Sequence, residues 1–126
     1  IIPYRFNNGQ LEILLICSSS NKHWVIPKGI IEPGLSPVSS AAKEALEEAG
    51  VKGISDKHKL GQYSYQKWGS VCTVDVFSME VTEILPEEQW EENHRKRLWV
   101  NYGMAKKLIK EPALISIFKK LKERIK

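Results

Sequence analysis

The chain has 126 residues, 42% of them hydrophobic, a formal net charge of +4 and an isoelectric point near 9.1. That length points to one domain spanning 1–126, and the apolar share is enough for a core without staples. There is no apolar run long enough to span a bilayer and no signal-peptide pattern, so a membrane role is excluded and a cytoplasmic location is expected. The first residue is Ile rather than Met, so native N-terminal residues are expected to be missing from this numbering.

Mild basicity suits a polyanionic ligand such as a polyphosphate or nucleic acid; it equally suits plain solubility. Cys17 and Cys72 sit in apolar, strand-like stretches without CxxC spacing. They read as buried free thiols, and any metal site is expected to be oxygen-ligated.

In chain order, Ile1 to Phe6 reads as a strand and Asn7-Asn8-Gly9 as a hairpin turn. Leu11 to Cys17 is apolar apart from Glu12 and reads as a buried strand. Residues 18–21 form a loop, and Trp24-Val25-Ile26 is a short strand ending at Pro27. Lys22, His23 and Lys28 are placed to contact a phosphate, with a solvated loop as the other reading.

A tight loop at 29–34 then leads into a helix. Ser36 is its expected N-cap, Pro37 its first residue and Gly50 the residue just past its end. Val38, Ala41, Ala42, Ala45, Leu46 and Ala49 form the apolar arc, and Glu44, Glu47 and Glu48 share the other face. These acids lie near the negative end of the helix dipole and repel one another. A bound hard cation would relieve both costs, with the carbonyl of Gly29 as a further oxygen ligand.

After the helix, residues 52–59 read as a polar connector. Leu60 to Tyr65 and Val71 to Val81 read as strands joined near Trp68-Gly69-Ser70. Tyr63, Tyr65 and Trp68 could offer a flat surface to a base or sugar, or serve as core and cross-strand pairs. Residues 86–94 form an acidic loop with one turn of helix. Arg95, Lys96 and Arg97 follow, as a substrate clamp or as partners of the neighbouring acids. Leu98-Trp99-Val100 is a short strand, and Asn101 caps a helix to about Ile109. Pro112 opens a final helix with an apolar stripe of Leu114, Phe118, Leu121 and Ile125, with Ile117 on its edge. Its remaining face, including Lys126, is basic. His94 reads as a surface residue.

The segment 29–51 resembles the Nudix box. Gly29, Glu44, Ala45, Glu47, Glu48, Gly50 and Val51 fall in register with that pattern. The flanking stretches WVIPKG, VTEIL and WEENHRKRLWV resemble the branch of diphosphoinositol polyphosphate and diadenosine polyphosphate hydrolases. Leu35 stands where the box has its first Glu, and Lys43 where it has Arg. In the family those two form a pair that orients the metal-binding acids, so retained but weakened activity is expected, with a catalytically silent ligand-binding domain as the alternative.

The resemblance implies an α/β Nudix fold, an α/β/α sandwich with a mixed sheet, as the element order does independently. It implies Mg2+, with Mn2+ as a substitute, held by Gly29, Glu44, Glu47 and Glu48. The implied reaction is water attack on a phosphoanhydride of a dinucleoside or diphosphoinositol polyphosphate. A nucleoside triphosphate or an RNA 5′-end is the alternative substrate, and nucleic acid is not otherwise expected as a partner. Glu44 and Glu47 in the box and Glu91 and Glu92 in the loop are the catalytic candidates for accepting the proton. Lys28, Arg95, Lys96, Arg97, Lys22 and His23 are the candidate substrate contacts. The oligomeric state is left open.

Overall fold

The computed structural model describes residues 1–18, 20 and 22–125. The loop reading at Ser19 and Asn21 and the basic charge at Lys126 lie outside the described residues. The elements are β1 (Ile2–Asn7), β2 (Gln10–Cys17), β3 (Trp24–Val25), α1 (Pro37–Glu44), a π-helical turn (Ala45–Ala49) and β4 (Val51–Ser55). They continue as β5 (Gly61–Lys67), β6 (Ser70–Val76), β7 (Ser78–Ile84), a 3-10 turn (Glu87–Gln89), β8 (Arg97–Asn101), α2 (Tyr102–Leu108) and α3 (Pro112–Arg124).

The main sheet runs β3-β2-β1-β7-β4, with β8 also paired to β2. It is mixed: β1 and β7 are parallel, and the other pairs are antiparallel. β2 is apolar on both sides because both of its faces are covered. Ile13 and Leu15 enter one core with α2 and α3, while Leu14 and Ile16 enter the other with the helix at 37–49. Alternation along a strand sends successive side chains to opposite faces. The result is the expected α/β/α sandwich. β5 and β6 form a separate two-stranded hairpin beside the main sheet.

Both hairpin turns have the sequence X-Gly with positive φ at each residue: Asn8 53° and Gly9 79°, Trp68 52° and Gly69 76°. Such turns match the twist of the strands they join. Trp68 is an unusual occupant of that conformation; its ring lies in solvent, 92% exposed, with the Lys67 ammonium 4.7 Å from its centroid.

Three expectations are corrected. Residues 51–55 form a strand, not a connector: Val51–Ser55 pairs antiparallel with β7 through a register shift at Lys52/Gly53. The shift hides the alternation of side chains, and a Cβ at Gly53 would overlap the Glu80 carbonyl. The strand read as 71–81 is two strands, broken at Phe77, because β6 pairs with β5 and β7 turns to pair with β1 and β4. Ile117 is not at the edge of the α3 stripe but fully in the core, at 3% exposure.

Candidate active site

The helix at 37–49 begins as its sequence demands. Ser36 Oγ accepts from the Ser39 N–H at 3.2 Å, with Pro37 in the first turn. It ends differently. The last turn is π-wound, closing on Gly50 in the left-handed conformation at φ 65°. Such wide turns concentrate at functional positions. Here the turn carries Glu47 and Glu48.

A loop distant in sequence clamps this helix end. Helix C-termini leave carbonyls without intrahelical donors. The Glu92 N–H donates to the Glu47 carbonyl at 3.2 Å, and Trp90 Nε1 donates to the Glu48 carbonyl at 3.0 Å. Arg97 Nη1 donates to the Ala49 and Gly50 carbonyls at 3.2 and 3.3 Å, and Nη2 to the Leu85 carbonyl at 3.1 Å. Its guanidinium also stacks on Trp90, 4.3 Å from the ring centroid. Arg97 therefore holds the helix end and is not brought to the carboxylates as a substrate contact.

The structure brings Glu44 and Glu48 together. Glu48 is buried, at 8% exposure, and its Oε1 accepts from the Lys28 N–H at 3.2 Å. Burial, and then the Glu44 carboxyl beside it, push Glu48 up to about 8. Arg95 faces it, with Nη2 4.0 Å from Glu48 Oε1. Arg95 is otherwise committed: Nε donates to Glu92 Oε1 at 2.9 Å and Nη1 to the Cys17 carbonyl at 3.0 Å. Gly29 lies so close to Glu44 that a Cβ there would overlap its carboxyl.

Glu47 lies beside that pair, its Oε1 3.8 Å from Lys43 Nζ. Burial, Glu44 and Glu91 raise its pKa. Among the described residues no three His, Cys, Asp or Glu side chains form a ready-made metal cluster. The arrangement is two carboxylates in contact and a third beside them.

Sequence reasoning missed Glu32. Lys43 Nζ donates to both of its carboxylate oxygens, at 2.7 and 2.8 Å. The position of the box Glu is Leu35, which is 39% exposed, and the acid paired with the box cation comes instead from three residues earlier. The expectation that the supporting pair is lost is thus corrected. The available signal was an acid in a turn-forming loop; only the loop's fold shows which cation it reaches.

The remaining candidates lie at varied distances. Glu91 is exposed and close enough to raise Glu47. Lys96 is exposed and joins the fold through its carbonyl, which accepts from the Cys17 N–H. Lys22 and His23 are exposed, and their N–H groups donate to Ser18 Oγ. Lys28 places its ammonium over the Tyr65 ring, 4.1 Å from the centroid. A cleft of about 690 Å³ opens beside Lys28 and Gly29, between this loop, the start of α1 and the β5–β6 hairpin. A smaller cavity of about 300 Å³ lies against Lys28 and Tyr65 and includes His23. Cys72 lines the larger cleft and is half-buried, not fully buried as expected; Cys17 is buried, and both thiols are free.

The NUDIX domain family model matches residues 1–121. The chain belongs to the Nudix family. Among its relatives is Nudix hydrolase 17, mitochondrial, of Arabidopsis thaliana, 36% identical over 120 residues, covering 87% of this chain and 64% of that one. Diphosphoinositol polyphosphate phosphohydrolase 2 of Rattus norvegicus is 38% identical over 104 residues, covering 78% and 54%. The chain spans between 52% and 64% of the length of three plant Nudix relatives. Among solved structures, a C. elegans Ap4A hydrolase complex superposes with a TM-score of 0.79 at 22% identity, covering 98% of this chain and 93% of that one. At that identity the likeness shows the shared Nudix fold alone.

Proposed function

We propose that this Nudix domain is a divalent-cation-dependent hydrolase that cleaves a phosphoanhydride bond in a dinucleoside polyphosphate or a diphosphoinositol polyphosphate. The observation that carries the reading is the contact of Glu44 with the buried Glu48, under the Gly29 loop and beside the cleft. Two carboxylates in contact favour a shared proton or a cation. The donor set is all oxygen, so a hard cation fits it, with Glu44, Glu47, Glu48 and the Gly29 loop as holders, Mg2+ as the expected ion and Mn2+ as its substitute. When bound, such an ion supplies neutralisation of the charge that develops at phosphorus.

The chain's own groups do the rest. Arg95, which faces Glu48, and Lys28, whose N–H bonds Glu48, are the candidates to hold phosphate oxygens; the exposed Lys96, Lys22 and His23 are the candidates for the outer part of a long substrate. A carboxylate takes a proton from the attacking water as its oxygen bonds to phosphorus and the anhydride P–O bond breaks. Glu44, Glu47 and Glu91 are the candidates for that base, while Glu92 is occupied by Arg95. The names of the Arabidopsis hydrolases and the rat phosphohydrolase support a pyrophosphate-cleaving reaction. The silent-domain alternative drew on Leu35, and the Glu32–Lys43 pair weighs against it. No helix among the described residues is long and apolar enough to cross a membrane. The plant relatives are mitochondrial by name, so they lend no support to a cytoplasmic location.

The test is product release from diadenosine tetraphosphate, a diphosphoinositol phosphate, a nucleoside triphosphate and a 5′-triphosphate RNA. Each is run with Mg2+, Mn2+ or chelator, beside Glu48→Gln. Cation-dependent turnover lost in the variant is the expected result. Binding without turnover on every substrate would replace the hydrolase with a silent binding domain.

A further inference from the structure

We propose that Asp75 makes the cleft select a nucleoside and reject a densely phosphorylated ring. The proposal rests on the hydrolase reading only for where the reacting phosphates lie, and it chooses between the two substrate classes left open there.

The cleft's charge is the first observation. Its lining holds two cations, Lys28 and Lys67, and one carboxylate, Asp75. One of those cations is already placed against the Tyr65 ring. Most of the remaining wall is apolar or aromatic, including Ile30, Val74, Tyr65 and Phe77. A ring bearing six phosphate monoesters carries about −9 to −12 at neutral pH. Such a ligand needs a cationic wall, and this cleft lacks one.

The placement of Asp75 is the second. It lies on β6 directly across from Gln62 of β5. Its Oδ1 accepts from Gln62 Nε2 at 2.9 Å and from Lys59 Nζ at 3.5 Å. The carboxylate is thereby held in place, and Oδ2 has no protein donor among the described residues. An ionised carboxylate accepts N–H and O–H donors and repels phosphate. It suits an exocyclic amine of a base or a ribose hydroxyl, and it acts as a repulsive specificity element against polyphosphorylated rings.

The third is where the protein's positive charge resides. Residues 102–126 hold eight Lys and Arg against two acids, whereas residues 1–101 hold eleven against thirteen. The basic segment is that of α2 and α3, which pack on the sheet face opposite α1. Most of the excess positive charge is therefore carried by the helices across the sheet from the carboxylate helix, although Lys110 also lines the smaller cavity with Lys28.

The test reads affinity by displacement of a fluorescent N-methylanthraniloyl ADP, so that only ligand competing in the cleft counts, and compares ADP with inositol hexakisphosphate. In the unmodified protein ADP is expected to displace the probe at concentrations more than about tenfold lower. Asp75→Asn should narrow that ratio by about tenfold, and Asp75→Lys should narrow it further. Asp75 is at the surface of a hairpin, and melting curves check that both variants fold. Turnover is followed in parallel on diadenosine tetraphosphate and a diphosphoinositol phosphate, where the preference should move the same way. A better displacement by hexakisphosphate, a ratio unchanged in both variants, or no binding of the ADP probe would overturn the proposal. If the binding order holds while neither substrate is turned over, the cleft assignment is upheld and the hydrolase reading fails.

Discussion

Glu48 is held in contact with Glu44 and largely out of water, so its charge must be met by a proton or by a cation. Its folded pKa of about 8 lies above its ordinary value of 4.5. The folded state therefore keeps a proton that the unfolded chain releases, and stability falls as pH rises from about 4.5 to about 8. Thermal melts of the metal-free protein across that window should show a falling Tm, and Glu48→Gln should flatten the slope and melt higher at pH 8. Added Mg2+ should raise the Tm of the unmodified protein but not of the variant. The same substitution should lower turnover by about a hundredfold or more, the usual scale for loss of a group that acts on the reacting centre; equal turnover would remove Glu48 from the metal site. Lys43 gives a second prediction at this scale. Because it already bonds Glu32 through both oxygens, Leu35→Glu should change kcat/KM by less than about threefold. Glu32→Gln should lower it by about tenfold, within the range seen when groups supporting metal ligands are removed. A large gain from Leu35→Glu would show that Glu32 does not do this work.

The element that decides the site is the 85–97 segment, which feeds donors to four successive carbonyls at the end of the carboxylate helix. It takes the place of a local C-cap beyond Gly50. Trp90→Phe removes the donor to the Glu48 carbonyl while keeping most of the buried ring. Its expected cost is about 1–3 kcal/mol, because the carbonyl is left without a partner. Metal affinity measured by calorimetry should weaken more than the Tm loss accounts for, since Glu48 is no longer held. Gly50→Ala should be harsher. It forces a side chain into left-handed backbone, and its Cβ would lie 2.7 Å from Trp90 Cγ.

Across the whole molecule the sheet separates two cores. Phe118, fully buried in α3, belongs to the core on the face opposite the carboxylate helix. Phe118→Ala should cost about 3–5 kcal/mol in denaturant unfolding. Well below the melting temperature, kcat/KM should stay within about twofold, because the carboxylates sit on the other core, across the sheet from that side chain. A large catalytic loss in folded protein would mean that the two cores are coupled.

What the sequence determined by itself is local. Ser36-Pro37 and Gly50 bound the carboxylate helix, and Asn8-Gly9 and Trp68-Gly69 are turns. The apolar run from Ile13 to Cys17 marks β2, and the spacing of Gly29, Glu44, Glu47 and Glu48 marks the box. Each depends on backbone preference or side-chain period within a few residues. The tertiary structure alone decided the partnerships. It assigned Glu32 rather than Leu35 to Lys43, placed Arg97 on carbonyls rather than phosphate, tied Glu92 to Arg95, and set Asp75 in the cleft wall. Charge type and spacing leave such choices open, because a long side chain reaches several partners of similar energy. The choice falls to whichever partner the packed sheet brings within hydrogen-bonding distance. β4 escaped for the same reason: its pairing edge is supplied by β7, and its own alternation is broken by the bulge at Gly53.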